Sequence, residues 1–365
     1  MSDVLRLTAP SAVLLSGDAR FENFDITRAL FFDLETSGLL GGSENISFLT
    51  GVLRVQEHGG VEVQQILIRD PRDEPIALEL VAELLDDADY LVSFNGKSFD
   101  RNVLADRFAM HRMSPDRVLD LPHLDLLHPA RRIFRGPLGS CTLGRIEEQL
   151  LGVHRHESEV RGAEVPERWF DFLQTGRFHL LEPILDHNLL DVLSLASLAG
   201  FLSRAVEAPG IVSPEPAALL GVARLLEERG QLDRARSVLE LVARGHASCP
   251  LAYAALSRLA NLCRRAGHYE EALDHWERMS EVCGTSDLEP WIGRAIALEH
   301  RLGRPACALD LIQDLLERVA GRPWAVNGAE REALSRRRDR LRLKVAKSRS
   351  GPAQVAGLGR GGCVA

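Results

Sequence analysis

Five side chains in this sequence combine reactive chemistry with informative spacing: Asp33 and Glu35, Asp100, and His187 with Asp191. Asp33 and Glu35 end the short apolar run Ala29-Leu30-Phe31-Phe32, which reads as a buried strand. A strand alternates its side chains between faces, so residues two apart project together. Two such carboxylates repel unless a cation sits between them, although a solvated strand end would explain the pair equally well if it stood alone. Asp100 closes Asn95-Gly96-Lys97-Ser98-Phe99-Asp100, which follows a second apolar strand at Tyr90–Phe94 and opens a helix. Ligands of open α/β folds gather at such strand ends; an N-cap role for Ser98 or Asp100 is the structural alternative. His187 and Asp191 are four apart and share one helix face. The surrounding Leu189, Leu190, Val192, Leu193 and Leu195 mark that helix as substantially buried, where an uncompensated aspartate is costly.

The elements needed to position these groups follow in an order of their own. Strands are expected over 29–36, 47–55 and 61–68, with a turn at His58-Gly59-Gly60, then a helix near 75–88, the strand at 90–94 and a helix over 100–110. A strand-like stretch covers 118–126, and helices are expected near 141–151, 166–175 and 180–204. Three strands followed by alternating helices and strands predict a mixed α/β sheet flanked by helices. Residues 1–28 form an N-terminal segment in which Val13-Leu14-Leu15 reads as a short strand before Gly17-Asp18.

After Pro209-Gly210 the pattern becomes continuous amphipathic helix. Gly230 with Ala235, Gly267 with Ala272 and Gly303 with Ala308 repeat a Gly-x4-Ala turn at periods of 37 and 36 residues, with Leu239, Trp276 and Ile312 in register. This resembles the tetratricopeptide repeat and predicts an all-α repeat domain over 211–320 that recruits a protein partner. Residues 321–365 read as a basic, disordered tail: 331–350 holds nine Lys or Arg against two acids, and 351–365 is Gly-rich without periodicity.

In chain order, DLET, NGKSFD and HNLLD resemble the three exonuclease motifs of the DEDD superfamily, and most closely the YprB-type ribonuclease H-like domain; the resemblance covers 29–205. It implies a ribonuclease H-like domain with the activity of a metal-dependent 3′-5′ exonuclease on DNA or RNA. Asp33 and Glu35 match the first motif, Asp100 the second and Asp191 the third, with His187 at the position of the general base. This His stands four residues before Asp191, whereas histidine-type members place it five before and tyrosine-type members place Tyr four before. Four acids suit two divalent cations, because phosphodiester hydrolysis builds charge on both the attacking and the leaving oxygen. An all-oxygen cage favours Mg²⁺ or Mn²⁺. Asp33 would bridge the ions while Glu35, Asp100 and Asp191 complete their shells, and His187 would accept a proton from the attacking water.

Asn95, Lys97, Arg131 and Arg132 are candidate substrate contacts, Lys97 from inside the second motif and the arginines, with Arg135, from a basic cluster. Asp120 and Asp125 border a strand and read as supporting residues. Within the same fold a structure-specific endonuclease is an alternative, and a catalytically weak scaffold acting through its repeats is another.

Composition sets outer bounds. With 365 residues, 45% hydrophobic and 26% charged, the chain is long enough for two globular domains. The net charge of −8 argues against broad adhesion to nucleic acid. Six scattered cysteines without a CxxC pair disfavour zinc and disulfide frameworks, and His123 and His128 have no complementary spacing. No uninterrupted apolar run of membrane-spanning length and no basic leader before an apolar stretch is visible, so a cytoplasmic protein without a membrane anchor is expected.

Overall fold

A β-strand that must present acids on one face needs its other face buried, and β1 (Ala29–Thr36) does this by strict alternation. Leu30, Phe32 and Leu34 enter one core while Phe31, Asp33 and Glu35 face the opposite side. The computed structural model describes residues 6–38, 45–155, 160, 162–244, 249–321 and 326–349. Among them β1 is the centre of a five-stranded sheet with β2 (Ser47–Val55), β3 (Val61–Leu67), β4 (Tyr90–Ser93) and β5 (His123–Asp125), in the order β3-β2-β1-β4-β5. β1–β2 and β2–β3 pair antiparallel, whereas β1–β4 and β4–β5 pair parallel. This is the mixed sheet that the strand order predicts.

The helices in chain order are α1 (Ala9–Ser16), α2 (Glu74–Asp86), α3 (Asp100–Met110), α4 (Asp116–Leu119), α5 (Leu127–Leu138) and α6 (Leu143–Ile146), which runs on as a π-helical turn over Glu147–Leu151. They continue with α7 (Val165–Thr175), α8 (Glu182–Glu207), α9 (Pro209–Val212), α10 (Pro216–Glu228), α11 (Leu232–Arg244) and α12 (Cys249–Ala266). The last are α13 (Tyr269–Cys283), α14 (Glu289–His300), α15 (Pro305–Ala320) and α16 (Gly328–Arg349). α2 and α3 cover one sheet face, where Leu78, Val81, Leu85, Leu104 and Phe108 pack on Leu30, Phe32 and Leu34. Arg107 of α3 lies in a buried ion pair with Glu74 of α2, to which His111 also bonds at 2.9 Å. On the other face Phe48 stacks on Trp169 of α7 at 5.0 Å beside Leu181 and Ile184, and α8 lies across β1 and β2.

Several expectations change. Residues 13–15 are helical, not a strand: Thr8 and Ser11 form a capping box, and Gly17 ends α1 in the left-handed region. The segment is part of the first unit, since Ser203 of α8 donates to Arg6 O at 2.7 Å. Helix α5, absent from the expected elements, follows β5 directly and carries the Arg131–Arg135 cluster. By length and hydropathy alone Phe178–Glu207 could cross a membrane, although most of it is buried here against the sheet and α1.

The chain divides into two compact units, Met1–Val238 and Leu239–Ala365. The expected boundary between 205 and 211 therefore falls inside the first unit, because α10 packs against α5 so closely that a Cβ on Gly221 would lie 2.5 Å from Ile133 O. The positions picked out as repeats have these conformations, Gly230 and Ala235 in the first unit and the others in the second. Gly230, Gly267 and Gly303 are all in the left-handed region, and Ala235, Ala272 and Ala308 are fully buried. The tail expectation over 321–365 is overturned where the structure describes it. Leu334 and Leu341 of α16, seven residues apart on one helix face, enter the core formed by Trp291, Leu298, Ile312 and Leu315. Residues 350–365 lie outside the described part.

Candidate active site

β1 delivers Asp33 and Glu35 to the face covered by α8, which carries His187, Asn188 and Asp191. Asp33 is fixed by a partner that the sequence reading did not single out. Asn188, completely buried, donates from Nδ2 to Asp33 Oδ2 at 2.9 Å and to Asp33 O at 3.3 Å. Asn188 Oδ1 in turn accepts from Gln65 Nε2 at 3.0 Å. Room for this amide comes from Gly51, which pairs with Asp33 across β1–β2 and on which a Cβ would lie 2.0 Å from Asn188 Oδ1. A lone glycine inside a β-strand was the available signal, since strand glycine often marks a close approach.

The loop after β4 is organised around Asp125. Its Oδ1 accepts from Asn95 N at 2.8 Å and from Leu127 N at 3.1 Å, and Oδ2 accepts from Lys97 N at 3.2 Å. Asp125 thus supports the second motif, as expected of it. Asn95 has φ of 68°, a conformation that asparagine tolerates better than most residues. A Cβ on Gly96 would lie 2.3 Å from Ser93 Oγ and 3.1 Å from Asp100 Oδ2. This tight turn brings Asp100 to the site as the first residue of α3, 6% exposed; Phe99 is the N-cap, so neither Ser98 nor Asp100 serves as one.

The four carboxylates act on one another. Burial, then the charges of Asp191, Glu35 and Asp100, hold the Asp33 carboxyl well above its ordinary range, against the hydrogen bond from Asn188. Burial and the charges of Asp191 and Asp100 push Glu35 up to about 8. Burial, Asp125 and Asp191 push Asp100 up to about 7. Burial also raises Asp191, opposed by its interactions with His187 and Arg155. The structure therefore brings together all four acids that the motifs single out, with His187 on the same helix as Asp191, its Nε2 lying 3.7 Å from Asp191 Oδ2.

Arg155 and Glu147 were missed by sequence reasoning. Glu147, fully buried in the π-turn, pairs with Arg155, which also pairs with Asp191 Oδ1 and donates from Nη1 to His187 Nδ1 at 3.1 Å. No motif signals this arginine, which stands alone in a connection between helices. Lys97 lines a small cavity of about 160 Å³ with His128, Arg132 and Arg229, and burial lowers its pKa. Of the substrate candidates, Lys97 and Arg132 thus meet, while Asn95 and Arg131 do not line that cavity. Arg132 pairs with Glu228 at 2.7 Å. Arg131 is exposed on α5, and the side chain of Asn95 is exposed at the loop tip. His123 lies within 2.7 Å of Ser93 Oγ, and burial pulls it down to about 3, which removes it from acid–base work near neutrality.

Hard divalent cations prefer carboxylate oxygens, and a cluster of four acids, Asp100 buried and Asp33, Glu35 and Asp191 half-buried, matches that preference. Among the described residues, no three Asp, Glu, His or Cys side chains are already gathered at metal-binding spacing. The donor set thus fits such cations in its chemistry, with Asp191 engaged by Arg155 in this arrangement.

A family model described as RNase H superfamily matches residues 30–203. Over 272 residues the chain is 33% identical to the uncharacterized protein YprB of Bacillus subtilis (strain 168), an alignment covering 73% of this chain and 63% of that protein. The chain thus spans less than two thirds of the length of this curated relative. Among solved structures it is similar to the family B DNA polymerase from the hyperthermophilic archaeon Pyrobaculum calidifontis, at a TM-score of 0.40 and 19% identity, covering 63% of this chain and 29% of that one.

Proposed function

We propose that the chain, whose residues 30–203 match a model of the RNase H superfamily, is a metal-dependent phosphodiester hydrolase, a 3′-5′ exonuclease acting on DNA or RNA. The observation that carries this reading is the meeting of Asp33, Glu35, Asp100 and Asp191, four acids from β1, α3 and α8 close enough that the charge of Asp191 raises the pKa of the other three. Acids so arranged destabilise the fold when ionised unless cations offset them.

Asp33, Glu35, Asp100 and Asp191 would hold two divalent cations, Mg²⁺ or Mn²⁺. Such ions, when bound, supply charge stabilisation at the attacking and leaving oxygens. The chain's own residues do the remainder. Asn188 fixes the Asp33 carboxylate, so that its orientation does not have to be found anew in each turnover. Lys97, half-buried beside the second motif, would meet a backbone phosphate. His187 would take the proton of the attacking water at a ring nitrogen. Within the second unit the left-handed Gly267 and Gly303 and the buried Ala272 and Ala308 support a tetratricopeptide-like platform for a protein partner.

The test is incubation of the purified full chain with 5′-end-labelled single- and double-stranded DNA and RNA in Mn²⁺, Mg²⁺ or chelator. The expected result is a ladder of products shortened from the 3′ end with either cation and none with chelator. Internal cuts at a defined structure would instead support an endonuclease, and intact substrates throughout would overturn the proposal.

A further inference from the structure

Arg155 makes three contacts that bear on the proposed chemistry at once. Its guanidinium pairs with Asp191 Oδ1, donates to His187 Nδ1 at 3.1 Å and is anchored on the fully buried Glu147, with Nη2 to Glu147 Oε1 at 2.7 Å. Arginine can only donate. His187 Nδ1 is therefore the acceptor, and the lone pair with which that nitrogen would take a proton is held by Arg155. Asp191 is engaged at both oxygens, Oδ1 by Arg155 and Oδ2 by His187 Nε2 within 3.7 Å. One side chain thus occupies an acid of the third motif and a nitrogen of the candidate base.

We propose that Arg155 is a built-in counter-cation that competes with a divalent metal ion for Asp191. Resting on the functional reading above, it adds a positioning residue that the motifs do not contain. Arg155 offsets part of the charge of the acid cluster in the metal-free protein, and its hydrogen bonds to Glu147 would remain when Asp191 is surrendered to an ion. Its positive charge within hydrogen-bond reach of Asp191 opposes a second cation at that carboxylate, so its removal strengthens metal binding by about ten-fold or more.

The test is a Mn²⁺ titration of the full-length protein followed by the electron paramagnetic resonance signal of free Mn²⁺, for the parent, Arg155→Gln, Arg155→Lys and Asp191→Asn, and for Arg155→Gln in the Asp191→Asn background. Arg155→Gln should tighten Mn²⁺ binding about ten-fold, Arg155→Lys should restore the parent's weaker binding, and Arg155→Gln should change nothing once Asp191 is already Asn. Because Arg155→Gln leaves Glu147 buried without its cation, Arg155→Gln/Glu147→Gln is titrated alongside, with circular dichroism to verify folding; it should show the same tightening. Equal Mn²⁺ affinity in the parent and both Gln variants would overturn the competition while leaving the nuclease reading intact. No Mn²⁺ binding by any of them would overturn both.

Discussion

Replacing Glu35 with glutamine should stabilise the metal-free protein, and increasingly so as the pH rises. The Glu35 carboxyl is held at about 8 against an ordinary 4.5, first by burial and then by the charges of Asp191 and Asp100. Between those two values the native state keeps a proton that the unfolded chain has released, so stability falls as pH rises through the window and the whole cost is present above about 8. At ~1.4 kcal/mol per pH unit the interval corresponds to about 5 kcal/mol. Relaxation of the neighbouring acids and the glutamine's own buried amide take back part of it, leaving about 2–3 kcal/mol. In a domain of this size that is roughly 5–10 °C in Tm. Thermal unfolding in EDTA from pH 4.5 to 9 should give parent and Glu35→Gln curves that meet at the acid end and separate steadily above it. With Mn²⁺ added, the parent should gain stability and the variant much less. A constant offset across the pH range, or a variant less stable at pH 9, would refute the idea that ionised Glu35 is a cost the fold carries for a cation.

Gly51→Ala should place a methyl against Asn188 Oδ1, break the bond to Asp33 and lower turnover on the order of 10- to 100-fold, with a stability loss of about 1–3 kcal/mol by urea unfolding. Arg107→Ala should cost about 3–5 kcal/mol, because Glu74 is left buried without its guanidinium; denaturation of fragment 1–244 compared with the full chain would place the loss in the first unit. Leu341→Ala should destabilise the second unit by about 2–5 kcal/mol, seen as a lower-melting calorimetric transition, while turnover on a labelled oligonucleotide stays at the parent's value.

What could be read from the sequence was what periodicity carries. DLET sits on β1 with both acids on one face because a strand alternates, and HNLLD lies on one long helix because its leucines recur at helical spacing. The central strands were legible for the same reason. Residues 13–15 were misread because a three-residue apolar run has no period; Thr8, Ser11 and Gly17 decide the outcome through caps. α16 was misread because charge dominates its composition, although Leu334 and Leu341 are enough to dock it and Glu299 pairs with both Arg340 and Lys344. At the site the four acids were legible as a pattern, whereas the neighbours that set their behaviour were not. Asn188 lies inside a quoted motif, yet its role depends on a glycine 137 positions earlier in the chain. Arg155 and Glu147 meet Asp191 only through tertiary folding, and nothing in their local sequence distinguishes them from solvated charges.

The most direct measurement is hydrolysis of a 5′-labelled oligonucleotide by the parent and by Asp33→Asn, in Mn²⁺ and in chelator, with the fold of the variant verified by circular dichroism. The substitution removes one negative charge while an amide of nearly the same shape remains beside Asn188, so the fold should persist. The account predicts 3′-shortened products from the parent in Mn²⁺, and none from the folded variant or from either protein in chelator. Equal product from parent and variant, or undiminished cleavage in chelator, would contradict the claim that these acids bind the ions of a phosphodiester hydrolase.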